Sequence, residues 1–216
     1  MKEILLKQKN KEMYSAEFEI LENDSVIGQA FIKGKLGSME AIVDCTFHNK
    51  NFSLKFANKI LTGSSKKFRP YNIIENENIT GEIFQTVFRK NFFSKYEYIK
   101  CNYNEEEFKL YSIGLGDKSV CVIYENDIQI SQIEFSNVVY NDLHDYTIYI
   151  KDDDNIFISI LLNYYLYVVG KFKPGVKVSK SVVKYYQKDS NKDLISKYDP
   201  DWISFKWGIN IWKENL

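Results

Sequence analysis

The stretch Ile156 to Val169, IFISILLNYYLYVV, constrains the fold more than any other part of the chain. Apart from Ser159 and Asn163 it is apolar or aromatic on every side, so a helix built from it has no wet face and must be enclosed. Its borders read as helix punctuation. Asp152, Asp153 and Asp154 put carboxylates at the N-terminus, and Gly170 with Lys171 supplies a stop and a cation at the other end. A helix over about 154–169 spans roughly 24 Å at ~1.5 Å per residue, short of the ~30 Å of apolar length that a bilayer crossing needs. The expected place for this helix is a protein core.

What precedes it reads as strands. Ala16, Phe18 and Ile20 alternate with Glu17 and Glu19; Val43, Cys45 and Phe47 with Asp44 and Thr46; Phe52, Leu54 and Phe56 with Ser53 and Lys55. Ile99, Cys101 and Tyr103, then Phe108 and Leu110, Val120, Val122 and Tyr124, Ile128 and Ile130, and Tyr146, Ile148 and Ile150 repeat the device. Each such run is expected to turn its apolar set inward. Turn signals at Gly37, Asn49, Asn104, Gly116 and Asn126 separate the runs, which number about twelve at the spacing of an all-β sandwich or barrel. Three segments also resemble one another: ENDSVIGQAF from Glu22, ENENITGEIF from Glu75 and ENDIQISQIEF from Glu125. Each puts an acidic-Asn turn before an Ile-rich strand and reads as a hairpin, with Gly28 and Gly81 permitting a bulge or close packing. Strands followed by one helix that is apolar all round predict an all-β closed antiparallel barrel of about twelve strands around a central buried helix.

A run of strands ending in HDYTIYIKDDDNIFISILLNYYLYVVGKF resembles the closing strand and central helix of the tubby-like barrel. That fold is shared by tubby C-terminal domains, LURP-one-related proteins and phospholipid scramblases. The resemblance covers roughly Met13 to Phe172 and rests on the order of elements and the terminal helix. The later DLISKYDPDWI, Asp193 to Ile203, is similar to a tail segment of small bacterial members of this group. The resemblance implies a non-enzymatic fold, often linked to membranes or phosphoinositides. It carries over no binding residues, because the basic ligand-binding pattern of eukaryotic tubby domains does not line up with residues here.

The expected division is a barrel over 1–172 and a C-terminal tail over 173–216 that packs on it. Lys+Arg and Asp+Glu both number 29, so net charge gives no global pull toward nucleic acid, membrane or acidic substrate, and any such preference must be local. One local feature stands out: Lys171, Lys173, Lys177, Lys180, Lys184 and Lys188 occur before any acidic residue appears at Asp189. Such a segment can sit on anionic headgroups, at about 1 kcal/mol per cation near a charged surface, or it can be a solvated face. Short helices are expected over Ser179–Tyr186 and Asp189–Tyr198; Trp202–Trp212 alternates as a strand would while Trp202, Phe205 and Trp212 also suit a helix, Gly208 favours the extended form, and this aromatic end is expected to pack on its own domain or a second copy.

No motif for chemistry rises above background. Cys45, Cys101 and Cys121 are odd in number and widely spaced, so neither a disulfide framework nor a zinc site is expected, and a reducing cytoplasm fits. MKEILLKQKNKE lacks the apolar core of a signal peptide. Cys45 and His48 are three apart in a strand and point to opposite faces, which argues against a thiol-imidazole dyad. Asp142, His144 and Asp145 read as a hydrated turn, Asp152 to Asp154 as helix capping without the residues of a calcium loop, and Gly114 with Gly116 as a turn lacking the rest of a dinucleotide fingerprint. Ser159 and Asn163 share one helix face and are expected to bond to backbone or to each other. No catalytic residue, cofactor, metal or nucleic-acid contact is expected. Two functional readings remain: a non-catalytic cytoplasmic binding or scaffold protein, peripheral at anionic phospholipid surfaces through the lysine segment, or a protein-interaction module, including self-association, acting through the aromatic tail without lipid affinity.

Overall fold

The structure, a computed structural model, describes residues 1–12, 14–34, 41–57, 68–90, 95–116, 118–136, 138–139, 143–169, 183–184 and 187–203. Its strands are β1 (Lys2–Lys11), β2 (Ser15–Glu22), β3 (Ser25–Lys33), β4 (Ile42–Phe47), β5 (Lys50–Phe56), β6 (Phe68–Glu75), β7 (Asn78–Arg89), β8 (Lys95–Tyr103), β9 (Glu106–Gly116), β10 (Lys118–Glu125), β11 (Ile128–Ser136), β12 (Val138–Val139) and β13 (Asp145–Ile150). From β1 to β11 each strand pairs antiparallel with the next. β13 then bridges β11 and β1, so a 12-strand antiparallel barrel closes and leaves no open edge. The expected fold class is the observed one.

The helix α1 (Ile156–Val168) follows a one-turn 3-10 segment, Asp153–Asn155, and lies inside the barrel. Ile160, Leu161, Leu162, Asn163, Tyr164, Tyr165, Leu166, Tyr167 and Val168 are all 0% exposed, so no face of the helix reaches water. Its rings meet walls on several sides: Tyr164 and Tyr167 pack edge-on to Phe18 of β2, Phe157 to Phe52 of β5, and Tyr165 to Tyr71 of β6. This is the physical reason for its all-round apolarity: a barrel with this many strands has a lumen that its own inward side chains do not fill. The acidic residues before the helix do not cap it through side-chain bonds, as the sequence had led one to expect; Asp153 is instead ion-paired with Lys2 at 3.0 Å.

Connections alternate between the barrel's two ends, and the ends differ. At one, which we name the turn end, β2–β3, β4–β5, β6–β7, β8–β9 and β10–β11 are joined by two-residue turns at Asn23-Asp24, His48-Asn49, Asn76-Glu77, Asn104-Glu105 and Asn126-Asp127, and all ten residues have positive φ. Two consecutive left-handed residues match the twist of a hairpin, and Asn and Asp tolerate them best among residues with a side chain. The remaining connections, β1–β2, β3–β4, β5–β6, β7–β8, β9–β10 and β11–β13, gather at the opposite, loop end. β13 finishes at the turn end, so α1 enters there and its C-terminus reaches the loop end.

The three similar segments occupy equivalent places: the hairpins β2–β3, β6–β7 and β10–β11, four strands apart around the ring. In each, the pairing slips by one residue just past the turn, at Ile20/Leu21, Ile73/Ile74 and Ile123/Tyr124. The residue six after the leading Glu is Gly28, Gly81 and Ser131. A Cβ at Gly28 would lie 2.5 Å from the Thr46 carbonyl oxygen and one at Gly81 2.3 Å from that of Asn102, so the neighbouring strand excludes side chains there. Ser131 is fully buried, and its hydroxyl meets Ser159 of α1 at 2.8 Å.

One strand faces opposite to expectation. In β10 it is Cys121 and Ile123 that enter the barrel core, while Val120, Val122 and Tyr124 face outward into a second apolar cluster with Tyr96, Tyr98, Tyr111 and Ile113. The run VCVIY is apolar at both parities because both of its faces are covered. The cover is the tail. β15 (Gln187–Lys188) pairs with the end of β9, and α2 (Lys192–Ile195) brings Leu194 and, beyond it, Tyr198 onto the outer wall. Val183–Lys184 form a strand, β14, paired with β12, where a helix over 179–186 had been expected; of the helix expected over 189–198 only one turn, α2 at Lys192–Ile195, forms. Residues 204–216, which hold most of the Trp202–Trp212 segment, lie outside the described residues.

Candidate functional site

The alternation of connections sorts charge. The turns carry Glu22, Asp24, Glu75, Glu77, Glu105, Glu106, Glu125 and Asp127, joined by Asp152, Asp153 and Asp154 where the chain leaves β13. Among the described residues Lys2, Lys50 and Lys151 lie at that end and Lys109 reaches Asp127 at 3.7 Å, and Lys2 is held by Glu22 at 3.0 Å as well as by Asp153, which raises its pKa above the ordinary value. The loop end is richer in cations. Among the described residues Lys9, Lys11, Lys33, Lys55, Arg69, Arg89, Lys90 and Lys95 sit at its strand termini, against Glu12, Glu17, Asp44, Glu97 and Asp145; Lys9 is paired with Glu19 at 3.2 Å, Lys33 with Asp44 at 3.5 Å and Lys90 with Asp193 at 3.6 Å. Charge among the described residues is thus unevenly divided along the barrel axis, with acids predominating at the turn end.

Aromatic exposure follows the same axis. Tyr14 (54%), Phe31 (42%), Phe68 (51%) and Phe88 (38%) lie toward the loop end, whereas the exposed apolar residues beside the turns are the aliphatic Val26, Ile79 and Ile128. The only two arginines, Arg69 and Arg89, each follow one of these exposed phenylalanines, on the paired strands β6 and β7. Arg69 adopts φ 49°, a left-handed conformation that a non-glycine residue takes only when its surroundings hold it. Those surroundings are the end of the central helix: the Arg69 guanidinium donates to the Val169 carbonyl, and the Tyr165 hydroxyl donates to the Arg69 carbonyl at 2.9 Å. A cation on the last carbonyls also complements the helix dipole. Burial pushes the nearby Tyr71 up to about 12, with Arg69 pulling the other way. Across the mouth, the Gln8 side chain joins the Tyr167 hydroxyl at 3.2 Å to the His144 amide at 2.9 Å, and the Asp145 carboxylate accepts from the Gln8 amide at 3.3 Å.

Of the lysines singled out in the sequence, Lys171, Lys173, Lys177 and Lys180 lie outside the described residues. The segment that holds them starts beyond Val169 and returns at β14 and β15, both attached at the loop end, β14 carrying Lys184 and β15 carrying the exposed Lys188. The cations on the strand termini were missed by the sequence reading, although a signal existed. Successive connections alternate between acidic-Asn pairs and lysine- or arginine-flanked loops, and in an antiparallel meander alternate connections share an end.

The other singled-out residues lie as follows. Cys45 is buried, and burial pushes its thiol up, whereas His48 sits exposed in a turn. Cys101 is likewise pushed up by burial. Asp142 lies outside the described residues, and His144 and Asp145 are engaged with Gln8. Ser159 bonds to the Asn155 carbonyl at 2.7 Å as well as to Ser131, but among the described residues neither side-chain polar atom of Asn163 finds a hydrogen-bond partner, nor does the Tyr164 hydroxyl beside it. Among the described residues no group of three or more His, Cys, Asp or Glu is arranged to hold a metal ion, and no helix is long and apolar enough to cross a membrane. In comparisons with known proteins, no family model, curated protein or solved structure matches the chain.

Proposed function

We propose that this is a non-catalytic binding or scaffold protein of the cytoplasm that docks at anionic phospholipid surfaces through the loop end of its barrel. The observation that carries the reading is the uneven division of charge along the barrel axis, with exposed aromatic rings on the cationic end. Lysine and arginine near a charged surface contribute about 1 kcal/mol each, and amphipathic rings favour the headgroup level. The acidic end then faces away from the surface, which orients the molecule as well as attracting it. The tubby-like assignment, proposed on the order of elements, agrees with such a role, and the lysine segment 171–188 is tethered at the same end.

The test is vesicle co-flotation of the intact chain with neutral and with anionic vesicles, at low and high salt. Binding to anionic vesicles alone, weakened by salt, is expected. It should weaken further when Lys173, Lys177, Lys180 and Lys184 are changed to Gln. Absence of binding to anionic vesicles at low salt would reject the reading.

A further inference from the structure

The outer wall holds a concave feature that runs from Phe88 and Lys90 near the loop end to Asp127 at the turn end. Between β7–β9 and the tail helix α2 lies a groove of about 420 Å3, within the size range of small-molecule sites. Its floor is tyrosine. Tyr98 and Tyr111 stack at 5.5 Å with 25° between their planes, and Tyr96 stacks on Phe88 at 4.9 Å. We propose that this groove binds an uncharged saccharide of one or two rings.

The ligand class follows from what the groove offers and what it has already used. Its charges are matched: Lys90 faces Asp193 at 3.6 Å from the tail side, and Lys109 faces Asp127 at 3.7 Å from the turn side. An anion gains little there, because each ammonium already has a carboxylate. A cation gains as little, since Lys197 of the tail lies over the Tyr111 and Tyr124 rings at 5.3 and 5.8 Å. An extended peptide cannot add as a strand, because β8 and β9 are hydrogen-bonded along both sides within a closed wall. What remains is the part-exposed ring of Tyr98 beside hydroxyls, with Tyr96 and Tyr111 buried beneath it. Tyr124 donates to the Lys197 carbonyl at 2.8 Å, while the hydroxyls of Tyr96, Tyr98 and Tyr111 make no hydrogen bond among the described residues. A purely aromatic ligand would use the faces and leave the hydroxyls and ion pairs unanswered. A sugar ring lays its C–H face on tyrosine and turns its hydroxyls toward Tyr, Lys and Asp, so one ligand satisfies both halves of the wall.

The groove also requires the tail. Asn191 holds α2 by donating to the Lys95 carbonyl at 3.1 Å, and Asp189 accepts from the Gly114 amide at 2.5 Å, which fixes the far bank of the groove against the barrel.

Saturation-transfer NMR on the full chain, with cellobiose, maltose and chitobiose as probes at millimolar concentration and phenyl phosphate as an anionic aromatic control, decides the matter. Transfer to the ring protons of at least one disaccharide is expected. Tyr98→Ala should weaken that binding by about tenfold, the value of one stacked ring, and Tyr98→Phe by less. Ser196→Trp, at an exposed position on the tail bank, should block the groove without touching the wall; it covers the case in which Tyr98→Ala loosens the fold, which a thermal melt would reveal. Absence of transfer to all three disaccharides would overturn the proposal. So would transfer that survives both Tyr98→Ala and Ser196→Trp, or tighter binding of phenyl phosphate at the same place.

Discussion

The two ends of the barrel are built from the same strands and differ in the balance of their surface chemistry. The turn end spends two residues per connection, all left-handed, and fills most of them with Asn, Asp and His, which tolerate that backbone better than other side chains, and two with Glu. At the loop end the described strand termini carry lysine, arginine and exposed aromatic rings. Part of the acidity of the turn end is therefore a by-product of turn geometry. Among the described residues the cations of the loop end have no comparable conformational cause, which is why we place the function there. A net charge of zero conceals this entirely, since it sums two ends that never meet the same partner.

The largest effect should come from discharging one end and not the other. Changing Lys55, Arg89 and Lys95 together to Gln removes three loop-end cations and should weaken binding to anionic vesicles about a hundredfold, at ~1 kcal/mol each. Changing Glu77, Glu105 and Asp127 to their amides should leave binding unchanged or slightly stronger. Equal losses from both sets, measured by co-sedimentation, would show that only overall charge matters and break the comparison.

Next in size is the helix clamp at the loop end. Arg69→Ala removes a charged hydrogen bond on the last carbonyls of α1 and should cost about 1.5–3 kcal/mol in urea unfolding. An unchanged midpoint would mean the bond contributes nothing net. Inside the barrel, the hydroxyl of Tyr164 is buried and finds no partner among the described residues. Tyr164→Phe should therefore stabilise by roughly 1 kcal/mol, and a clear destabilisation would reveal a partner such as buried water.

The smallest structural effect belongs to the turn end. Glu105→Gly, at φ 70°, relieves a left-handed residue and should raise stability by about 1 kcal/mol or less, whereas Asn104→Val in the same turn should lower it. Finally, Cys45, Cys101 and Cys121 are all buried, so a thiol reagent should label none of them in the folded protein and all three in denaturant. Labelling of the native chain would show that the wall opens.

Much of this fold was legible because its physics is local. Ala16, Phe18 and Ile20, or Tyr146, Ile148 and Ile150, alternate because each strand has one face on the helix and one on water. β10 broke the pattern for a reason invisible in any one strand: a tail more than sixty residues downstream covers its outer face, so Val120 and Val122 look as much like core as Cys121 and Ile123 do. The lysine segment was visible as composition. The strand-end cations were not, since Lys33, Lys55 and Lys95 are isolated residues until the meander gathers them at one end.

The sequence by itself determined that there are strands, that they alternate, that their hairpins turn on Asn-acid pairs, and that one helix cannot face water. Each of these follows from the period of apolar residues or from the backbone preference of a dipeptide, and both act over a few neighbours. The tertiary structure decided what lies together: that twelve strands close on themselves, that Arg69 reaches the end of α1, that the tail builds a tyrosine groove on the outer wall, and that charges balanced along the chain are unevenly divided between the two ends. Those depend on closure, because only a closed ring fixes which connections share an end and which wall is left for the tail to cover.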